Sequence, residues 1–244
     1  MKYHILTLFP ELISAYMDAS ILGRACENGI LSYRAVNIRD YSLDKHKKVD
    51  DYPYGGGPGM VMQAQPIYDA WSDVISGISG KPRCIYLTPQ GRTFDQDMAK
   101  ELAKEEDLVF LCGHYEGVDE RVLDKIVTDP VSAGDFVLTG GELPALMMID
   151  AISRMIPGVL GNEVSGEGES FENGLLEYPQ FSRPECWMGE HVPDVLLSGD
   201  HERICSWRRE ESLKRTVAMR PDLLKEADLT REEISQILKH KNRL

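Results

Sequence analysis

Residues 132–144 constrain the fold more than any other stretch of the chain. They run from Ser132 through Gly134, Gly140 and Gly141 to Glu142, Leu143 and Pro144, and an apolar segment follows. Glycine lets a backbone approach a ligand closely and turn tightly. Pro144 suits the first turn of a helix, where a missing N–H costs nothing. The segment therefore reads as a backbone cradle for a small molecule at the start of a helix. It matches neither G-x-G-x-x-G nor G-x-x-x-x-G-K-[ST], which points away from dinucleotide folds and P-loop ATPases.

The cradle sits within a chain whose pattern alternates between strand and helix up to about residue 157. His4–Phe9, Leu31–Ile38, Arg83–Leu87 and Leu108–Cys112 read as strands. Leu12–Asn28, Gln65–Ile75, Gln96–Glu106, Val118–Ile126 and Leu143–Ile156 read as helices. Leu108–Cys112 is uninterruptedly apolar, the mark of a strand buried on both faces. This alternation predicts an α/β domain with a mainly parallel sheet. Three strands run into polar or glycine-rich turns: 88–91, 113–117 and the cradle. Ligands in such sheets bind beyond the carboxyl ends of strands, so the three turns are expected to line one pocket.

Beyond residue 160 the character changes. Residues 161–173 are rich in Gly, Ser and Glu with no Lys or Arg, and read as an interdomain linker. Residues 174–244 are expected to form a small all-α domain, with helices over Asp200–Met219 and Glu232–Lys241. Thr230-Arg231-Glu232-Glu233 is a capping box for the second. The net charge of −13 argues at first against a nucleic-acid partner. Its distribution softens that: residues 1–173 carry 15 basic and 27 acidic side chains, residues 174–244 carry 12 and 13. Arg203, Arg208, Arg209, Lys214, Arg215 and Arg220 are either solvated helix faces or contacts for phosphates. Screening confines distant acid to a reach of about 8–10 Å, so local patches can act independently. Five scattered cysteines without a C-x-x-C pair fit reduced thiols, and the chain is expected to be cytoplasmic. No run of apolar residues is long enough for a membrane span.

Taken in order, Tyr54–Met60, Cys112–Arg121, Gly134–Pro144, Ile156–Gly161 and Leu196–His201 give the chain a specific resemblance. Over nearly its whole length it resembles the bacterial tRNA (guanine-37-N1)-methyltransferases of the SPOUT class. The resemblance implies a deep trefoil knot in residues 1–160, a rare exception to unthreaded chains. It also implies S-adenosylmethionine bound in the knot, a homodimer whose sites are built from both subunits, and a C-terminal domain that grips the tRNA anticodon arm.

The same resemblance assigns residues. Gly113, Gly134, Gly140 and Gly141 would present backbone to the adenine. Ser132, Ala133, Asp135, Phe136, Val137, Leu138 and Pro144 would line the cleft, with Tyr86, Leu87, Thr88 and Pro89 opposite. Glu116 would face the sulfonium or a magnesium ion, unless it is a solvated turn acid. Arg154, by residue type alone a helix-end charge or ion-pair partner, becomes a catalytic residue that donates to guanine O6. Glu169 stands where the family carries an aspartate, and would be the base for the N1 proton. Asp50 and Gly59 are expected to meet RNA, with His46, Ser165 and Arg39 as weaker contact candidates. Tyr52 or Tyr54 could stack on a splayed base. Cys112 reads as a packing residue.

Overall fold

A computed structural model describes residues 1–161, 169–171, 173–225 and 227–234. It divides into two compact units, Met1–Ser165 and Gly166–Leu244. In the first, β1 (Lys2–Thr7) leads into α1 (Pro10–Met17) and α2 (Ser20–Glu27), then β2 (Ser32–Asn37). Two short strands follow, β3 (Asp50–Asp51) and β4 (Val61–Met62), then α3 (Ala64–Ser76), β5 (Arg83–Thr93), α4 (Gln96–Leu102) and β6 (Asp107–Leu111). The unit is completed by α5 (Glu120–Ile126), β7 (Asp129–Ser132) and α6 (Glu142–Arg154). The main sheet has the order β2-β1-β6-β5-β7, and every pairing in it is parallel.

A parallel sheet must be covered on both faces, and side-chain alternation supplies two cores. Tyr3, Ile5, Phe110, Ala145 and Ile149 belong to one, which buries α1, α4 and α6. Leu6, Val36, Val109, Leu111, Ile67 and Val122 belong to the other, beneath α3 and α5. The expected α/β domain with a mainly parallel sheet is what the chain forms.

Several boundaries differ from expectation. The single helix read over Leu12–Asn28 is two. Asp18 and Ala19 separate them, and Ser20 takes a φ of 52°. β5 continues past Leu87 to Thr93, with its register against β7 interrupted between Leu87 and Arg92. Residues 88–91 therefore bulge out of the sheet. β7 has no strand signal in the sequence, where Asp129 and Pro130 obscure it, and Pro is tolerated because β7 is an edge strand.

The second unit is mainly helical but not all-α, contrary to expectation. β8 (Cys186–Trp187) and β9 (Glu190–His191) pair antiparallel around Met188 and Gly189, where positive φ closes the turn. α7 (Asp194–Leu197) and α8 (His201–Met219) follow. Asp200 caps α8 by accepting from the Arg203 N–H at 3.1 Å, and Pro221 follows its end. The capping box forms: Glu233 N–H donates to Thr230 Oγ1 (3.2 Å), and Thr230 N–H donates to Glu233 Oε2 (2.7 Å). Residues 231–234 are helical; the remainder of the expected last helix, and residues 162–168 of the expected linker, lie outside the described residues. Among the described residues no helix is long and apolar enough to cross a membrane.

Candidate active site

Three turns beyond the carboxyl ends of β5, β6 and β7 enclose a cavity of about 380 Å³. The bulge after Leu87 supplies Thr88, Pro89 and Gln90. The turn after β6 supplies residues 113–118, and the cradle supplies Ser132, Ala133, Gly134 and residues 136–141. Tyr86 and Leu87 close one side, and Pro144 of α6 closes another. Every cofactor residue named from the sequence lines this cavity except Asp135, which is exposed and outside the lining. His114, Tyr115, Gly117 and Thr139 also line it; they lay in the same motifs but carried no signal of their own.

The cradle is held against the β6 turn by backbone. Gly141 N–H donates to the Gly113 carbonyl at 2.9 Å, and His114 and Gly140 form an antiparallel bridge. Gly141 has an ordinary φ of −84°, so its need for glycine is one of space. A Cβ there would lie 2.7 Å from Cys112 Cα and 2.9 Å from Gly113 N. Burial, reinforced by Glu142, drives the Cys112 thiol well above its ordinary range, so it packs as a neutral group. Burial likewise raises the Tyr86 phenol, with Glu120 adding to the effect, and keeps it protonated near neutral pH.

The expected RNA contacts divide. Glu116 N–H donates to the Met60 carbonyl (2.9 Å), and Met62 N–H to the Gly117 carbonyl (2.9 Å). These bonds seat the loop between β3 and β4 beside the cavity. Gly59, at φ +83°, lies so close to Glu116 that a Cβ would stand 2.3 Å from its Oε1. Asp50 begins β3, opposite Met62. Tyr52 and Tyr54 are 77% and 99% exposed. Arg39 Nη2 donates to the Tyr115 hydroxyl at 3.4 Å. His46 lies in an exposed turn in which its N–H donates to Asp44 Oδ1. Ser165 lies outside the described residues.

Arg154 ends α6 and is half-buried; Glu169 is half-buried in the second unit. In that unit Arg203, Arg208 and Arg215 are exposed on α8, with Arg208 over the Tyr178 ring at 4.7 Å. Arg209 pairs with Glu233, Lys214 with Glu210 and Glu211, and Arg220 with Asp222, so part of the basic cluster is engaged in structure. Among the described residues no group of three or more His, Cys, Asp or Glu gathers as a metal centre.

The profile of the family described as tRNA (Guanine-1)-methyltransferase TrmD matches residues 1–226. The chain belongs to this family. Its relatives include a tRNA (guanine-N(1)-)-methyltransferase of Clostridium beijerinckii, 59% identical over 242 residues that cover 99% of both chains. Another, of Lachnospira eligens, is 59% identical over 226 residues covering 93% of this chain and 96% of the relative. A third, of Clostridioides difficile, is 57% identical over 229 residues covering 93% and 99%. The tRNA (Guanine-1)-methyltransferase profile spans the three turns of the cavity and both Arg154 and Glu169.

Proposed function

We propose that this chain methylates N1 of guanine at position 37 of tRNA, beside the anticodon, with S-adenosylmethionine as donor. The observation that carries this is the glycine-lined cavity beyond the ends of β5, β6 and β7, in a chain of this family. The cavity suits the donor: its floor is exposed backbone, kept open where a Cβ at Gly141 would clash. Backbone groups of Gly113, Gly134, Gly140 and Gly141 would hold the adenine, and Leu87, Leu138 and Pro144 give apolar walls. Bound there, the donor supplies an electrophilic methyl on a sulfonium, whose positive charge the Glu116 carboxylate would face.

Guanine N1 carries a proton and is a poor nucleophile until it is lost. Glu169 accepts that proton, and the negative charge that spreads onto O6 is met by the Arg154 guanidinium. The donor would supply its methyl to N1 at the expense of the carbon–sulfur bond, and Glu169 would hold the proton until it exchanges with solvent. Asp50 would accept from a guanine Watson–Crick edge, Gly59 would admit a base closely, and His46 and Ser165 would contact RNA. A magnesium ion keeps waters and takes one or two carboxylates, of which Glu116 would offer one.

The reading includes a trefoil knot in residues 1–160, a linker over 161–173 and a tRNA-gripping domain over 174–244, in a cytoplasmic homodimer with shared sites. An exposed apolar stripe favours the dimer: Leu12 and Tyr16 on α1, Leu143 and Met147 on α6.

The test is transfer of labelled methyl to tRNA bearing guanine at 37, against a tRNA with adenine there and a Glu169→Ala variant. Label should appear on the guanine substrate alone, and the variant should lose about 100-fold or more in rate, the scale of a lost general base. Undiminished transfer by the variant would reject Glu169 as base. Absence of transfer by a wild-type protein that binds the donor would reject the enzymatic reading.

A further inference from the structure

Gly113, Gly117, Gly140 and Gly141 give the turns that form the cavity no side chains with which to hold one another. Besides the backbone bond from Gly141 to Gly113, a side-chain tie lies behind them. Glu142, the first residue of α6, is 3% exposed, an unusual burial for a carboxylate. Its Oε1 accepts from the Thr7 hydroxyl at 2.6 Å, and its Oε2 lies 2.6 Å from His114 Nε2. Thr7 Oγ1 in turn accepts from the Phe9 N–H at 2.9 Å, fixing the exit of β1. The carboxylate thus joins the end of β1, the turn after β6 and the start of α6. Between His114 and Glu142 stands Gly140: a Cβ there would lie 2.2 Å from the imidazole and 2.8 Å from Glu142 Oε2.

Burying a carboxylate is costly unless its oxygens are satisfied. Here both are, and the positive end of the α6 macrodipole adds to the favourable field. An apolar residue would fill the same space without ionic desolvation, yet it would leave His114 untethered to the cradle.

We propose that Glu142 is a positioning residue for the cofactor pocket, acting through His114 to hold the 113–117 turn against the 139–141 turn. This rests on the reading that the cavity binds S-adenosylmethionine. The role is distinct from a general contribution to stability, because the tie spans the two turns that form the pocket floor. Its loss should appear as weaker donor binding in a folded protein.

The experiment measures donor affinity by calorimetry, melting temperature, and steady-state kinetics for the full chain and three variants. Glu142→Ala and His114→Ala should each weaken donor binding about tenfold or more, the equivalent of roughly one lost pocket hydrogen bond. The KM for the donor should rise in step, with kcat and the KM for tRNA changed less, the pattern of lost ground-state binding. Tyr3→Phe is the control: it removes the buried Tyr3–Ser153 hydrogen bond (2.9 Å), away from both turns. It should lower the melting temperature while leaving donor affinity within about twofold, because distant sites act independently. His114→Ala keeps the test decisive if Glu142→Ala does not fold, since the imidazole is partly exposed. Wild-type donor affinity in a folded His114→Ala variant, or an equal loss in Tyr3→Phe, would overturn the proposal while leaving the cavity's assignment intact. A wild-type protein that binds no donor would overturn that assignment and the proposal with it.

Discussion

At the scale of the residue, Gly141 shows how a missing side chain can be a requirement. It caps the helix that carries Pro144, and its amide ties the cradle to Gly113. Gly141→Ala needs no forbidden φ, so its whole cost is steric: the methyl meets backbone on Cys112 and Gly113, which cannot turn away as a side-chain end can. Overpacking of this kind costs about 1–3 kcal/mol. The variant should melt lower in thermal denaturation and should bind S-adenosylmethionine markedly more weakly in calorimetry. Unchanged affinity would mean that the turns have slack. The need for glycine was only half legible in the sequence, because glycines before a helix serve a plain turn as readily as a close approach, and the crowding at Gly141 is seen only in the fold. Glu142 was not legible. A Glu in the first turn of a helix is ordinarily a solvated partner of the macrodipole, and only the fold brings Thr7 and His114 to it across 135 and 28 residues.

At the scale of the element, the β5–β7 edge depends on charge. Arg83 Nε donates to Asp129 Oδ2 at 3.0 Å, a second guanidinium nitrogen meets Asp129 Oδ1, and Nη1 reaches Glu101 at 2.5 Å. Burial acts to raise the Asp129 carboxyl, but the hydrogen bonds from Arg83 and Thr128 overcome it and leave the group below its ordinary range. The sign follows: a carboxylate depressed by folding contributes stability above its unfolded pKa of about 3.9. That contribution is lost as pH falls from there through the lower folded value. Chemical denaturation between pH 6 and pH 3 should therefore show a steeper acid loss for wild type than for Asp129→Asn. The variant should be less stable by about 1–2 kcal/mol near neutrality, the range for a hydrogen bond to a charged group. Matching slopes would show that Asp129 is not held by Arg83. None of this could be read from sequence, since β7 is four residues long with Asp and Pro at its start. The long apolar runs were legible because periodicity reports burial directly, as in β6, whose last four residues are all buried. The break between α1 and α2 was hidden because both helices keep an apolar face across it, and only the backbone at Ser20 reveals the turn.

At the scale of the whole molecule, one exposed apolar surface of the first unit bears on assembly. Leu12 and Tyr16 lie one turn apart on α1, and Leu143 and Met147 one turn apart on α6. The Tyr16 hydroxyl donates to Asp150 Oδ2 at 2.8 Å, which joins the two helix faces into one stripe. Scattered exposed apolar residues are ordinary, but a contiguous stripe marks an interaction surface. In the dimer we propose, a second copy covers it. Met147 is 44% exposed in the single chain, so Met147→Glu should leave the fold intact, with a change in stability within about 0.5 kcal/mol. In an apolar interface the same carboxylate would be stripped of water without a partner, at a cost of several kcal/mol. Sedimentation should therefore find the wild type at twice the chain mass and the variant at the chain mass. If each site draws on both subunits, methyl transfer by the variant should fall about 100-fold or more, as misplacement of catalytic groups by about 1 Å already can. A variant that dissociates yet keeps full activity would place the whole site within one chain; a variant that stays dimeric would move the interface off this stripe.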